Sequence, residues 1–186
     1  MTEVAPLLVV PFSVLRDLVP INMRQYAYTL AGGQSPLTEQ DFSKDDLDTL
    51  KDAVERKIKQ TGKMSGVIGY GDYAKDGTIA AENTGTLDTV SKSFSDPAFR
   101  LESTLGMARY TVNKKGEIEI HDAYDFNADK SLVDKSIREK GRVGTVIAGA
   151  KHSGLWGALN AAGNMARPDG TGVPVTLNLG THTYGH

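Results

Sequence analysis

Two aspartates and a tyrosine stand together at the end of one short stretch of the chain. Asp122, Tyr124 and Asp125 follow the alternating segment Glu117–His121. A carboxylate at the inward edge of a strand needs a hydrogen bond, a cation or a metal ion, because an isolated buried charge is costly. The spacing therefore marks this cluster as the first candidate site, with cation binding as its simplest chemistry.

The elements that must position the cluster are two strands of a β-hairpin. Ile118 and Ile120 fall on one face of the alternating segment, and polar residues fall on the other, as in a half-buried antiparallel strand. Leu105–Val112 predicts the partner strand, and Asn113–Gly116 predicts the turn, with the glycine able to adopt a positive φ.

The hairpin leaves both functional and purely structural roles open for the cluster. Continued alternation puts Asp122 and Tyr124 on the isoleucine face and Asp125 on the other, unless the strand bends and gathers all three at its end. In a structural role, Asp122 pairs with Arg109 across the hairpin and Tyr124 packs in the core. Asp125 and Asn127 then cap a following helix.

A second well-marked element begins at Ser43. Ser43 and Asp46 predict a capping box, and Gly62 predicts the residue just beyond the end of the helix. Apolar residues recur between them at helical spacing: Leu47, Leu50, Val54 and Ile58.

The rest of the chain predicts short elements. Helices are predicted near 21–30, from Pro36, over 127–140 and from Ser153; strands over 66–73, 142–148 and 173–179; and short strands and loop over 79–99. We therefore expect an α+β fold, with a mostly antiparallel sheet or open β-barrel-like core and several short helices.

Length and composition bound the function. The 186 residues suit one domain, 1–186, and the net charge of −2 gives no pull toward nucleic acid. The absence of cysteine excludes thiolate zinc sites and cysteine nucleophiles. Within the N-terminal segment 1–34, apolar residues 4–15 predict either a cover for the core or a membrane-surface or partner contact.

The run Asp122-Ala123-Tyr124-Asp125 resembles half of a known signature. Bacteriocins of the colicin M type carry Asp-x-Tyr-Asp followed closely by His-Arg. That resemblance implies a mostly β open barrel with helices, and Mg²⁺-dependent hydrolysis of the lipid-linked peptidoglycan precursor (lipid II) between its undecaprenyl chain and pyrophosphate. It also implies that Asp122 and Asp125 are catalytic or metal-binding groups, with Tyr124 as a supporting donor.

This sequence departs from the family in its basic partner. Lys130–Val133 stands where the His-Arg pair is expected. The partner would have to come from elsewhere in the chain, and His152 and His182 are the most reachable of the candidates. The full set of basic candidates is Arg109, Arg138, Arg142, His152 and His182.

Four other segments resemble phage virion or internal proteins of unassigned role. They are residues 35–42, 70–73, 105–127 and 174–180. The sequence thus supports two functions from different classes. One is an antibacterial, metal-assisted hydrolase of lipid II that acts at the bacterial cell envelope. The alternative is a phage virion structural or interaction protein without catalysis.

Overall fold

A computed structural model describes residues 19–24, 36–80, 86–124, 138–141, 143–144, 147–148 and 173–183. The fold is α+β, as expected, with helices packed on a four-stranded antiparallel sheet. The elements are α1 (Lys44–Thr61), β1 (Ser65–Ile68), α2 (Thr86–Ser95), α3 (Pro97–Thr104), β2 (Ala108–Val112), β3 (Glu117–Tyr124) and β4 (Val173–Thr181).

The sheet has the strand order β1-β2-β3-β4. The predicted hairpin is confirmed: β2 pairs with β3, and Gly116 closes the turn with a φ of 79°. The predicted final strand is also confirmed. It lies at the end of the strand order, where Pro174 is tolerated, and its Val175 is bridged by Leu37.

The two faces of the sheet differ sharply in burial. Directly paired residues share a face, and one such row, Val67, Arg109, His121 and Thr176, is exposed. The opposite face forms the core of the domain together with the helices. Its buried side chains include Ile68, Ala108, Tyr110, Ile118, Ile120, Val175 and Leu177.

Helix α1 begins and ends as its sequence predicts. The Ser43 side chain accepts a hydrogen bond from the Asp46 N–H, and the Asp46 carboxylate accepts one from the Ser43 N–H. Gly62 ends the helix with a φ of 67°. Along the helix, Leu50, Val54 and Ile58 are buried, as the apolar spacing requires.

The prediction of short strands and loop over 79–99 is wrong, because α2 and α3 occupy most of that segment. Asp96 caps α3 by accepting hydrogen bonds from the N–H groups of Ala98 and Phe99, and Pro97 occupies the first turn. The serines and threonines of α2 suggested turns, yet Thr89 and Ser93 are buried in the packed helix. Tertiary packing therefore overrides weak local preference here.

Other predicted boundaries also shift. The strand predicted over 142–148 is wrong where the structure describes it, since 143–144 and 147–148 are helical. A short helical turn, Glu39–Asp41, follows Thr38 rather than Pro36. The strand predicted over 66–73 ends at Ile68, and Tyr73 lies buried in the loop beyond. Most of the helix near 127–140 and all of that from Ser153 lie outside the described residues, as do residues 4–15.

No described helix is both long enough and apolar enough to cross a lipid bilayer. The described helices instead bury polar groups against one another. An ion pair joins the first turn of α1 to α3, with 2.7 Å between Arg100 Nε and Asp46 Oδ1. Both side chains are at least nine-tenths buried, with exposed fractions of 9% and 2%. This contact ties the start of α1 to the interior.

We expect Arg100→Met to lower the free energy of unfolding by about 3–5 kcal/mol, because it leaves the Asp46 carboxylate buried without its cation. Urea denaturation measures the loss. The control is Arg109→Met, an exposed arginine whose removal should change stability by no more than about 0.5 kcal/mol. Adding Asp46→Asn to Arg100→Met should recover part of the loss. Equal stabilities for the two single variants would contradict the assignment.

Candidate functional site

Asp122 lies on the inner face of the sheet. It shares that face with Ile118 and Ile120 and stands directly opposite the buried Val175 of β4. Its side chain is half-buried, and its Oδ2 atom is shielded from solvent. The predicted orientation of Asp122 is therefore confirmed, and the chain delivers a carboxylate to the interior near the end of β3.

Tyr73 lies close enough to Asp122 for the charge of that carboxylate to affect the pKa of its phenol. It is 1% exposed, and its hydroxyl donates to the Gly106 carbonyl at 3.2 Å. Burial raises the pKa of Tyr73 well above its ordinary value, and the negative charges of Asp122 and Glu102 raise it further. The phenol therefore stays protonated, with two carboxylates from different elements in electrostatic range.

Glu102 reaches this region from α3. It is 2% exposed, and its Oε1 accepts a hydrogen bond from the Gly71 N–H at 3.0 Å. Gly71 has a φ of 81°, and a Cβ there would stand 2.9 Å from the Gly77 carbonyl oxygen. Glycine is thus required for the loop to approach Glu102. Sequence reasoning missed Glu102 because it lies between the segment 79–99 and the strand predicted from Leu105, where no element was predicted.

Two of the basic candidates, Arg109 and His182, lie away from Asp122. Arg109 pairs with His121 and lies on the exposed face, so it cannot be the cross-strand partner of Asp122. His182 donates its N–H to the Gly116 carbonyl, beside the start of β3. Gly116 is about 20 Å from Asp122 along the strand, from six residues at about 3.4 Å each.

The other predicted site residues are Tyr124, Asp125 and His152, and of these the structure describes only the backbone of Tyr124. Tyr124 is the last residue of β3, and its backbone pairs with Val173, but its side chain lies outside the description. Asp125 and His152 also lie outside the described residues. Their predicted roles stay predictions.

A cavity of about 250 Å³ begins at Tyr73. Arg56 and Lys75 contribute cations to its wall, and Arg56 also donates to the carbonyls of Asp72 and Tyr73. Other lining residues come from α1 and the start of α3: Asp45, Asp48, Thr49, Asp52 and Pro97. Tyr73 thus lines this cavity of mixed charge and also lies in electrostatic range of Asp122 and Glu102, which do not line it.

The donor set suits magnesium in type. Mg²⁺ binds through one or two carboxylates and completes its octahedron with water and substrate phosphates. Asp122 is a carboxylate of this type on the inner face. Among the described residues, no three or more acidic, histidine or cysteine side chains form a metal-binding group. A resident metal held wholly by these side chains is not indicated, whereas one shared with a phosphate ligand agrees with the donors.

We expect Asp122→Asn to lower the pKa of Tyr73, because it removes a negative charge that disfavours the phenolate. NMR titration of the Tyr73 ring carbon measures the change. Glu119→Gln, on the outer face of the same strand, should leave that pKa unaltered. Since the folded pKa exceeds the unfolded value of about 10, the contribution of Tyr73 to stability is complete below pH 10 and is lost as the pH rises further. Equal shifts in both variants would contradict this arrangement.

No protein-family model matches the chain, and the searches found neither a curated protein nor a solved structure that is significantly similar to it. Its function must therefore be inferred from its own residues and their geometry.

Proposed function

We propose that the protein hydrolyses the undecaprenyl-pyrophosphate precursor of peptidoglycan, lipid II, with magnesium. The observation that carries the proposal is the inward carboxylate of Asp122 in electrostatic range of Tyr73, which lines a cavity. The Asp-x-Tyr-Asp pattern at the end of a hairpin strand supports the same chemistry. The reaction breaks the bond between the lipid and its pyrophosphate.

The cavity suits a metal-bound pyrophosphate better than a free anion. Its wall carries two cations, Arg56 and Lys75, beside three carboxylates of α1. A free diphosphate would be repelled by those carboxylates, whereas its magnesium complex carries less negative charge. In this proposal, Arg56 and Lys75 have the role that the His-Arg pair has in the bacteriocin signature. Each would stabilise negative charge on the departing pyrophosphate.

Asp122 and Asp125 are the groups proposed to hold the cation, since carboxylate oxygens are the ligands that magnesium prefers. When bound, the metal supplies charge neutralisation on the phosphoryl oxygens. Asp122 would accept a proton from the water that attacks phosphorus and return it to the lipid oxygen as the O–P bond breaks, which yields undecaprenol and a soluble pyrophosphorylated product. Tyr73, held neutral by its raised pKa, donates its hydrogen to the Gly106 carbonyl and so has a positioning role beside Asp122.

The location follows from the substrate. Lipid II is presented at the cell envelope, so the proposed hydrolase acts in the bacterial periplasm. The apolar residues 4–15 would contact the membrane surface there, which brings the chain to a lipid-anchored substrate.

A second candidate function is a non-catalytic interaction protein of a phage virion. The exposed face of the sheet favours it, since Val67 is 49% exposed and the neighbouring Met107 is 66% exposed. Exposed apolar groups on one face are typical of contact surfaces. In this function, Asp122 has only a packing role.

The decisive experiment incubates the purified full-length protein with lipid II, with and without Mg²⁺. We expect undecaprenol to appear only with metal, and Asp122→Ala to slow its release by at least about 100-fold, because the base and metal ligand is lost. Glu119→Ala, an acid on the outer face of the same strand, should retain the rate. Thin-layer chromatography of the lipid product measures each rate.

Two results would contradict the hydrolase. One is intact lipid II under conditions in which a colicin M-type bacteriocin degrades it. The other is equal rates for Asp122→Ala and Glu119→Ala. Intact substrate, with a folded protein verified by circular dichroism, would favour the interaction protein.

A further inference from the structure

A separate cavity lies at the start of α1. It has a volume of about 270 Å³ and is bounded by residues 19–24, the first turn of α1, and the junction of α2 with α3. Two arginines line it, Arg24 and Arg100, which are only 3% and 7% exposed. Burial of a guanidinium is costly unless acceptors surround it. A small cavity between two buried guanidiniums is therefore suited to an anion.

Arg100 uses only Nε and Nη1 in its hydrogen bonds to described residues. Its Nε donates to Asp46, and its Nη1 lies 3.3 Å from the carbonyl oxygens of both Ser93 and Phe94. Its Nη2 donates no hydrogen bond to any described residue, although the side chain is more than nine-tenths buried and lines the cavity. The two N–H groups of Nη2 can thus bind a ligand without breaking an existing contact.

The N-terminus of α1 adds a second attraction for an anion. The helix has 18 residues, and its positive end opens at Ser43 and Asp45, which both line the cavity. Ser43 Oγ accepts from the Asp46 N–H. The N–H groups of Lys44 and Asp45 precede the first intrahelical bond, so they lie at the end of the helix where anions bind.

The carboxylates of the wall do not cancel this attraction. Asp46 is enclosed by its own donors, since Arg100 Nε binds one oxygen and the Ser43 N–H and hydroxyl bind the other. Asp45 is exposed at the rim, where water and salt screen its charge. Among the described residues that line the cavity, the buried charged groups are the guanidiniums of Arg24 and Arg100 and the carboxylate of Asp46, so cations outnumber carboxylates. Arg24 also has partners of its own, one of which is the Asp41 carbonyl.

We propose that this cavity binds a phosphate group, either as inorganic phosphate or as a small phosphomonoester. Guanidinium groups match phosphate oxygens in pairs of parallel hydrogen bonds. The volume lies just below the range of about 300–1,000 Å³ that is usual for larger ligands, so the ligand is small. Arg100 and Glu102 stand two positions apart on α3 and so point to opposite sides of it. The two cavities adjoin at Asp45, which lines both, but Arg24 and Arg100 line only the cavity at the start of α1.

The test is an NMR titration of the full-length protein with inorganic phosphate, and separately with glycerol phosphate, at constant ionic strength. We expect saturable shifts of the Lys44 and Asp45 amides and of the Arg100 Nε–H signal. Saturation by either ligand supports the proposal and identifies the source of the phosphate. Shifts that acetate reproduces at the same concentration, or that spread over exposed lysines, would overturn it.

Variants separate the cavity from general charge. Arg24→Gln should weaken phosphate binding at least tenfold, whereas Lys115→Gln, an exposed turn residue with the same loss of charge, should bind as the unaltered protein does. Should Arg24→Gln fail to fold, Arg100→Lys keeps the positive charge but removes Nη2, and it should also weaken binding. Equal affinity of a folded cavity variant and Lys115→Gln would refute the site.

Discussion

Helix α3 is short, and every residue from Ala98 to Thr104 is buried. It nevertheless carries Arg100 and Glu102 into the interior, where each needs polar partners. Arg100 takes Asp46 and the carbonyls that end α2, and Glu102 takes the amide of Gly71. These contacts fix the start of α1 on one side of α3 and the loop after β1 on the other. The positions of both candidate sites depend on this one helix.

The loop that Glu102 holds is the one that buries Tyr73. From β3, Asp122 reaches the same region on the inner face, so the phenol is kept neutral by burial and by two carboxylates at once. Arg56 anchors the loop from α1 by donating to its carbonyls. Charged and polar groups from α1, the loop after β1, α3 and β3 thus lie close together, and a cavity adjoins them at Tyr73.

The sequence correctly predicted the features that a few neighbouring residues determine. Ser43 and Asp46 started a helix, Gly116 closed a hairpin, and alternation gave the inner face of Asp122. Nothing local marked Glu102, because its burial comes from packing between elements rather than from periodicity. The sequence could not decide which face of the sheet Arg109 occupies, because a shift of one residue in the register would reverse it. The observed register pairs Arg109 with His121 on the exposed face.

The free-energy cost of burying polar groups around Tyr73 bears on the choice between the hydrolase and the interaction protein. The phenol of Tyr73 and the carboxylates of Asp122 and Glu102 are polar groups turned toward the interior, and apolar residues of similar size would usually stabilise such an interior better. Departures of this kind from the stability optimum are expected where a protein binds or reacts. In the proposed hydrolase, Asp122 faces inward to hold a metal-bound diphosphate, whereas in the interaction protein it packs near the end of β3 with contacts of its own. The arrangement therefore favours chemistry at the inner face, while the exposed outer face remains available for contacts.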